Sequence, residues 1–422
     1  MYLRELELDH FRSYERLRLS LGPGLTLLVG DNAAGKSNLL EAVALLAMTR
    51  SPRASTEGEM IGWSALAAAS LEEPAVARVG GRAERADGPV QVEIALVARA
   101  DAQGRPAPTR SGAPLTSKRL RLNGVARRAT QVVGRISAVL FTTLDIEILT
   151  GPPSRRRRFL DLLIAQSDRG YARAYGRYDK AVTQRNAVLK RMSEGAAGAG
   201  ALAPWDDVLA EAGGAVLAAR ASAVAALSEL APGRHRFLAP EPGADAGPLR
   251  LDYQPALHTT PWPPGDRPTP ADAGALLRDA MAAARRREVA AGATLVGPHR
   301  DDVALLLGDR PAGRYASRAQ QRSIALALRL AEADLLRQRA GEAPILLLDD
   351  LFSELDAARR EATAVALSEA LHDPGGAGAE PEPGVGQLLV TTADAAALPP
   401  GLPPPTASYR IAESALRPLG GV

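Results

Sequence analysis

The chain of 422 residues contains no cysteine, only five histidines, and an aromatic fraction of 4%. The absence of cysteine excludes disulfide scaffolds, cysteine-ligated zinc fingers, iron–sulfur clusters and thiol nucleophiles. The histidines are scattered and lack the spacing of a metal-ligand pair, so a zinc or di-iron centre is not expected. Acidic and basic side chains nearly balance, at 48 against 51, which gives a formal charge of +3. The length allows a large core or several lobes.

Long hydrophobic runs are also missing. No stretch approaches the roughly 20 uninterrupted apolar residues that a membrane-spanning helix requires. The N-terminus is charged from Arg4 onwards, which is not the pattern of a signal peptide. The sequence therefore predicts a soluble cytoplasmic protein that does not act at a membrane.

Lysine is rare, with four in the chain, so arginine supplies most of the positive charge. Basic residues cluster at 155–158, at 285–287, and at Lys118, Arg119, Arg121, Arg127 and Arg128. Local clusters on a nearly neutral chain suit a protein that carries a binding face, not one that is basic all over. For any single cluster a solvated helix face is the simpler explanation, and residues 155–158 could instead pair with acids such as Asp161.

A glycine loop between a predicted strand and a predicted helix carries the clearest chemical signal. The run GLTLLV leads into GDNAAGKS, which matches G-x-x-x-x-G-K-[ST], and the helical stretch NLLEAVALLAMT follows. Such a loop points successive backbone N–H groups at the phosphates of a nucleotide. Lys36 would neutralise the β- and γ-phosphates, and the Ser37 hydroxyl would bind Mg²⁺. The predicted nucleotide-binding residues here are Gly30, Asp31, Asn32, Ala33, Ala34, Gly35, Lys36, Ser37 and Asn38.

A second apolar run, residues 345–348, predicts a buried strand that ends in Asp349 and Asp350. Ligands bind at this end of the strands in open parallel sheets. Asp349 suits a metal ligand together with Ser37, and Asp350 would then polarise the attacking water, with Lys36 as the second catalytic residue. The simpler alternative is a strand end whose aspartate caps the next helix.

The two nucleotide motifs lie far apart in the chain, so something is inserted between them. Residues 51–135 show the alternation of antiparallel strands, whereas the region beyond Gly151 has helical spacing, with Phe159, Tyr171 and Tyr178 at apolar positions. We predict an α/β fold in which residues 1–150 and 291–422 form one mixed-sheet head. Residues 151–290 would form an inserted helical lobe without a long coiled coil.

Several segments, in this order, resemble the RecF family within the SMC/Rad50-like group of ABC-type ATPases. They are the opening LRELELDHFRSYERLRLSLGPGLTLLVGDNAAGKSNLLEAV, GPPSRRRRFLDLL at 151–163, GPHRDD at 297–302, SRAQQR at 317–322 and LLLDDLFSELD at 346–356. The resemblance implies an ABC-type P-loop ATPase head in which Arg12 helps to hold the nucleotide. It also implies that Ser317 and Gln320 belong to a signature motif meeting the partner subunit's γ-phosphate, and that 353–356 form the D-loop.

The resemblance further implies ATP and Mg²⁺ as cofactors and a homodimer that closes on ATP as a DNA clamp. The expected partners are double-stranded DNA near gaps or single-strand junctions, RecR and RecO, and indirectly RecA, in gap repair, replication restart and the SOS response. The expected enzyme is a weak, DNA-stimulated ATPase. Ala33, Arg318 and Ala319 stand where glycine is frequent, which would loosen the closed dimer. No Q-loop glutamine is evident, and Thr391 and Thr392 follow the last strand where transporters have a switch histidine.

Other functions are less compatible with these motifs. A transporter ATPase subunit predicts closely spaced nucleotide motifs, a glutamine loop and a switch histidine, and a structural SMC protein needs hundreds of heptad residues. A nucleotide-gated DNA-binding scaffold with negligible turnover stays open. For GPHRDD, we favour a buried ion-pair network that braces the lobe against the head over a surface for DNA or nucleotide.

Overall fold

The computed structural model describes residues 1–70, 72–99, 101, 105–109, 112–239, 247–257, 266–371 and 386–419. The chain forms two compact units, which we call unit 1 (Met1–Leu144 and Arg329–Val422) and unit 2 (Asp145–Leu328). Unit 2 thus extends beyond the 151–290 that the sequence suggested for the inserted lobe. The reason is that the strand around residues 302–307 pairs with a strand at 249–254 inside unit 2.

The described part of the chain contains fifteen strands and eleven α-helices. The strands are β1 Tyr2–Phe11, β2 Tyr14–Ser20, β3 Gly24–Val29, β4 Val76–Glu84, β5 Val90–Ala98, β6 Thr116–Leu122, β7 Val125–Arg127, β8 Ala138–Thr142, β9 Leu249–Gln254, β10 Asp302–Leu307, β11 Arg310–Pro311, β12 Ile345–Asp349, β13 Gln387–Thr392, β14 Pro405–Ala412 and β15 Ala415–Pro418. The helices are α1 Lys36–Met48, α2 Trp63–Ala67, α3 Ala129–Val132, α4 Glu147–Thr150, α5 Pro153–Ser167, α6 Arg169–Ser193, α7 Ala203–Leu238, α8 Pro270–Ala291, α9 Ala312–Tyr315, α10 Arg318–Ala340 and α11 Ala357–Leu371.

Unit 1 contains two six-stranded sheets. One is antiparallel, in the order β2-β1-β4-β5-β6-β7, and its strands alternate between buried apolar and exposed polar residues. The other has the order β15-β14-β3-β13-β12-β8, with every pair parallel except β14 with β15. Its central strands are apolar on both faces, as expected for parallel strands covered on both sides. Helix α1 is buried along nearly its whole length and packs against strands of both sheets.

Unit 2 is mainly helical and also holds the small sheet β11-β10-β9. Its core forms where α6, α7 and α8 pack together around Tyr178, Leu209, Leu217 and Leu277. The region beyond Gly151 is helical, as its spacing predicts, and α5 gives way to α6 at Asp168. The Asp168 carboxylate accepts a hydrogen bond from the Gly170 N–H at 2.7 Å, which begins α6 with a side-chain cap.

The segment Gly200–Leu238, which includes α7, is the one described helix that is long and apolar enough to cross a membrane. Its most apolar window has a mean hydropathy of 1.4, and 72% of that window is buried inside the protein. The central helix of a folded core passes the same test, so this signal is explained by the packing of α7 against α6 and α8.

Candidate nucleotide-binding site

The loop that joins β3 to α1 has the backbone of a phosphate-binding turn. Gly35 has a φ of 107° and Ala33 a φ of 65°, so both lie in the left-handed region. The Ala34 N–H donates to the Asp31 carbonyl at 3.2 Å, which closes the loop. The Lys36 ammonium donates to the carbonyls of Gly30 and Asp31. Strand, loop and helix thus follow one another as the sequence pattern predicts.

The aspartate strand β12 lies next to β13, which lies next to β3, all in parallel. The carboxyl ends of the three strands therefore meet at one edge of the sheet. The Ser37 hydroxyl donates to Asp349 Oδ1 at 2.8 Å, although the two residues are 312 positions apart in the sequence. The structure thus brings the two predicted nucleotide motifs into direct contact.

A pocket of about 390 Å³ lies at this edge. Its lining combines the loop with residues that follow the strands: Asn32, Ala33, Gly35, Lys36, Ser37, Asn38, Arg53, Thr143, Asp349, Asp350, Ser353 and Glu354. Sequence reasoning missed Arg53 and Thr143. Thr143 could have been found, because it directly follows β8, the parallel neighbour of β12. Arg53 has no comparable signal, since it lies in an irregular segment after α1.

The oxygen atoms that meet at Ser37 and Asp349 suit a hard cation. Within the described ranges, no group of three or more His, Cys, Asp or Glu side chains is arranged to hold a metal ion by itself. Mg²⁺ commonly takes only one or two protein oxygens and completes its shell with water and nucleotide phosphates. A serine hydroxyl in hydrogen-bond contact with one carboxylate, on the rim of the phosphate loop, is a donor set that fits it.

Arg12 lies in the turn between β1 and β2, with a φ of 54°. Its guanidinium makes two hydrogen bonds to the fully buried carboxylate of Glu41 in α1, at 2.7 and 2.9 Å, and donates to the Glu59 carbonyl. Arg12 is not among the residues that line the pocket. The structure therefore shows it bound to α1, and contact with a nucleotide stays a prediction.

Residues at the turn between β1 and β2 also make hydrogen bonds to the phosphate loop and to α1. The Tyr14 hydroxyl donates to the Gly35 carbonyl at 3.0 Å, and the Asn38 amide donates to Ser13 Oγ at 3.0 Å. Burial raises the pKa of Tyr14, so its hydroxyl stays protonated and can keep donating. These contacts fix the loop and the first turn of α1 before any nucleotide arrives.

The signature segment belongs to unit 2, at the start of α10. The Gln320 N–H donates to Ser317 Oγ at 3.2 Å, and the Ser317 N–H donates to Gln320 Oε1 at 2.8 Å. This reciprocal capping box satisfies two backbone donors where α10 begins. A role for Ser317 and Gln320 at the γ-phosphate of a partner subunit stays a prediction.

The segment GPHRDD, residues 297–302, contributes to a buried polar network. The Asp301 carboxylate, 1% exposed, accepts hydrogen bonds from Arg220 at 3.2 Å, from the Tyr253 hydroxyl, and from the Ala256 N–H at 2.9 Å. Burial, and next the charge of Asp301, raise the pKa of Tyr253. These partners of Asp301 all belong to unit 2. The expected ion-pair network is therefore present, but these contacts join elements of unit 2 to one another.

The basic clusters differ in their partners. Arg155 pairs with Glu147 at 2.9 Å, Arg156 makes two hydrogen bonds to Asp302, and Arg157 donates to the Asp301 carbonyl. Asp161, which the sequence suggested as a partner of this cluster, instead pairs with Arg220. In the other large cluster Lys118 pairs with Glu57, whereas the arginines are exposed: Arg119, Arg121, Arg127 and Arg128.

The comparisons with known proteins agree with this geometry. The family model "RecF/RecN/SMC N terminal domain" matches residues 2–373. The DNA replication and repair protein RecF of Chloroflexus aurantiacus is 43% identical over 367 residues, which cover 85% of this chain and 88% of that protein. The RecF of Herpetosiphon aurantiacus is 44% identical over 365 residues, with 86% and 89% covered.

A solved structure of the recombination mediator protein RecF-ATP in the RecFOR pathway is similar over 99% of this chain and 98% of that chain, with a TM-score of 0.78 and 26% identity. The fold is thus an ABC-type ATPase head of the SMC class with an inserted helical lobe, which confirms the predicted fold class. Within that class, the chain belongs to the RecF family, as the five sequence segments indicated.

Proposed function

We propose that this protein is an ATP-gated DNA clamp of DNA replication and repair, acting in the cytoplasm in gap repair, replication restart and the SOS response. The observation that carries the proposal is the contact of Ser37 with Asp349 beside the phosphate loop, because it joins two distant motifs in one pocket suited to a nucleotide. The names of the relatives support the repair role, and the RecF-ATP structure supports ATP as the nucleotide.

In the proposed site, the phosphates of ATP lie on the N–H groups of the loop and at the N-terminus of α1. The Lys36 ammonium, which donates to the carbonyls of Gly30 and Asp31 in the structure, would donate to phosphate oxygens instead. Ser37 and Asp349 would hold Mg²⁺, which neutralises phosphate charge. Asp350 accepts a proton from water as the water oxygen bonds to the γ-phosphorus and the bond to the bridging oxygen breaks, giving ADP and phosphate.

ATP would also join two subunits, with the Ser317 end of α10 facing the nucleotide of the partner. Slow, DNA-stimulated hydrolysis would reopen the clamp, and RecR and RecO would act with it to load RecA. Arg318 and Ala319 at the signature favour a second candidate, a nucleotide-gated DNA-binding scaffold with negligible turnover, because their side chains crowd a position where glycine allows close approach.

Light scattering in solution tests the clamp. The native chain, Asp350→Asn and Lys36→Met are measured with and without ATP and short duplex DNA. We expect a dimer with ATP that persists in Asp350→Asn and is absent in Lys36→Met. A monomer under every condition, with ATP binding demonstrated separately, would overturn the clamp and favour the scaffold.

For the DNA contact we propose the outer face of the antiparallel sheet. Arg119 and Arg121 lie two positions apart on β6, so they share one face. Arg78 on β4 lies in the same cross-strand row as Arg119, since it pairs with Ala95 and Ala95 pairs with Arg119, whereas Arg121 lies in the next row, opposite Glu93. Among the described residues none of these three arginines has an ion-pair partner, whereas Arg155 to Arg157 bind groups of their own chain. Three exposed guanidinium groups on one face of the sheet suit the DNA backbone.

The salt dependence of DNA binding tests this surface. The double variant Arg119→Gln with Arg121→Gln should bind duplex DNA more weakly, and the slope of log K against log salt should fall by about 2, since each phosphate contact contributes about 0.9. Arg286→Gln with Arg287→Gln, two exposed arginines of α8, is the matched control for net charge. An equal loss in both double variants would rule out a specific surface on β6.

A further inference from the structure

Asp350 has an unusual backbone. Its φ and ψ are 49° and 35°, in the left-handed region that residues with a side chain seldom adopt. It follows β12 directly and precedes the short helical turn Leu351–Glu354. Aspartate adopts this conformation more readily than most residues, and such conformations recur at functional sites, where surrounding contacts hold them.

Two hydroxyl groups hold the backbone of Asp350. The Asp350 N–H donates to Thr391 Oγ1 at 3.0 Å, and the Ser353 hydroxyl donates to the Asp350 carbonyl at 2.8 Å. The Thr391 hydroxyl in turn lies 3.0 Å from Asp349 Oδ1 and 3.2 Å from the Leu348 carbonyl, the two acceptors available to its proton. One threonine thus touches both members of the carboxylate pair.

The position of Thr391 is fixed by the sheet. Thr391 on β13 pairs directly with Asp349 on β12, and its side chain is 1% exposed. It does not line the pocket, so it is placed to act through the aspartates. Its neighbour Thr392 is different, because that hydroxyl donates to the Asp394 carbonyl in the following turn.

We propose that Thr391, assisted by Ser353, is a positioning residue for Asp350. The two hydroxyls keep the left-handed turn that directs the carboxylate toward the pocket, so that Asp350 meets the attacking water when ATP is bound. A misplacement of about 1 Å can cost on the order of 100-fold in rate, so this support has a measurable effect. The inference rests on the proposed ATP hydrolysis.

The first test replaces Thr391 by the isosteric valine, which removes the hydroxyl but keeps the shape. We expect Thr391→Val to lower kcat for ATP hydrolysis by about 10- to 100-fold, while the Kd for ATP changes by less than about twofold. Thr391→Ser should restore most of kcat. Thr392→Val is the matched control and should keep both values. Native kcat in Thr391→Val would overturn the inference.

A second test separates positioning from a general loss of structure. Because Thr391 acts through Asp350, the double variant Thr391→Val with Asp350→Asn should be no slower than Asp350→Asn in single-turnover hydrolysis. Losses that multiply in the double variant would overturn the inference. Ser353→Ala, at an exposed side chain, provides a second variant that should fold and should lower kcat in the same direction. If the native chain itself hydrolyses no ATP, the proposed function fails and the inference with it.

Discussion

At the scale of single residues, the phosphate loop carries strain where the sequence has alanine. Ala33 has a φ of 65°, a conformation that costs an L-residue about 1–2 kcal/mol and that glycine adopts freely. Its neighbour Ala34 is not among the residues with positive φ. The loop tolerates this strain because contacts from Tyr14 and Lys36 fix the residues around it.

Ala33→Gly tests that strain directly. The substitution relieves the left-handed backbone but adds the backbone entropy of glycine, whereas Ala34→Gly adds the entropy without relief. We therefore expect Ala33→Gly to be more stable than Ala34→Gly by about 1 kcal/mol in chemical unfolding. Equal stability of the two variants, or the reverse order, would contradict a strained Ala33.

His299 gives unit 2 a dependence on pH. Its Nδ1 lies 2.6 Å from the Tyr178 hydroxyl, and its Nε2 lies 3.1 Å from the Thr294 carbonyl. Burial lowers its pKa from the ordinary value of 6.5, and the charges of Arg300 and Arg157 act in the same direction. The folded protein therefore holds fewer protons than the unfolded chain at pH values between the folded pKa and 6.5.

The free energy of unfolding should consequently fall as the pH drops below 6.5, the pKa of this histidine in the unfolded chain. The fall should level off once the pH is below the lower pKa that His299 has in the folded protein. We expect His299→Gln to lower the melting temperature at neutral pH, because the contact with Tyr178 is lost, but to reduce the decline between about pH 7 and about pH 5. His10→Gln, at an exposed site, is the control. The same decline in native protein and His299→Gln would exclude this histidine as its source.

At the scale of elements, helices α7 and α8 cross with their backbones in close approach. A Cβ atom on Gly214 would lie 2.4 Å from the Pro270 carbonyl oxygen and 2.6 Å from the Gly274 nitrogen, closer than real Cβ contacts. Glycine at this crossing therefore sets the distance between the two helices. Gly233, also inside α7, has open space at its Cβ position.

Gly214 and Gly233 should respond to alanine with opposite signs. Gly214→Ala forces α8 away and should destabilise unit 2 by about 1–3 kcal/mol, as overpacking does. Gly233→Ala gains helix propensity without a clash and should stabilise it by about 0.5–1 kcal/mol. Thermal melting followed by helical circular dichroism measures both. A neutral Gly214→Ala would mean that the crossing can widen at little cost.

At the scale of the whole molecule, the proposed clamp makes each active site from two subunits. The phosphate loop and Asp350 would come from one chain and Ser317 from its partner. A two-fold dimer of this kind contains two equivalent composite sites. Variants that damage different halves of the site can then complement each other in a mixed dimer.

Asp350→Asn and Ser317→Arg provide such a pair. Each variant alone should hydrolyse ATP far more slowly than the native chain. Their mixture should recover a measurable part of the native rate, because one site of each mixed dimer combines an intact Asp350 with an intact Ser317. Steady-state phosphate release measures this. The control is Asp350→Asn mixed with inactive Lys36→Met protein, which should recover nothing because both variants damage the same half of the site. A mixture no faster than its components would contradict the composite site.

Sequence reasoning worked best where a short pattern sufficed. The loop from Gly30 to Ser37 and the strand before Asp349 each depend on a few neighbouring residues, so local rules located them. Sequence reasoning failed where two residues in contact lie far apart in the sequence. The pairing of Arg12 with Glu41 and the contact of Thr391 with Asp349 span 29 and 42 positions, and no local pattern specifies them.

The sequence by itself determined that this chain has a phosphate loop and an aspartate strand, and its ordered segments determined its family. The tertiary structure decided which groups meet. It placed Ser37 in contact with Asp349, 312 positions away in the sequence. It gave Arg155, Arg156 and Arg157 polar partners within unit 2. It also placed the hydroxyl of Thr391, and not that of Thr392, beside the carboxylate of Asp349. The physical reason is that loops and caps form from adjacent backbone groups, whereas these contacts depend on strand register and helix packing, which form only when the whole core does.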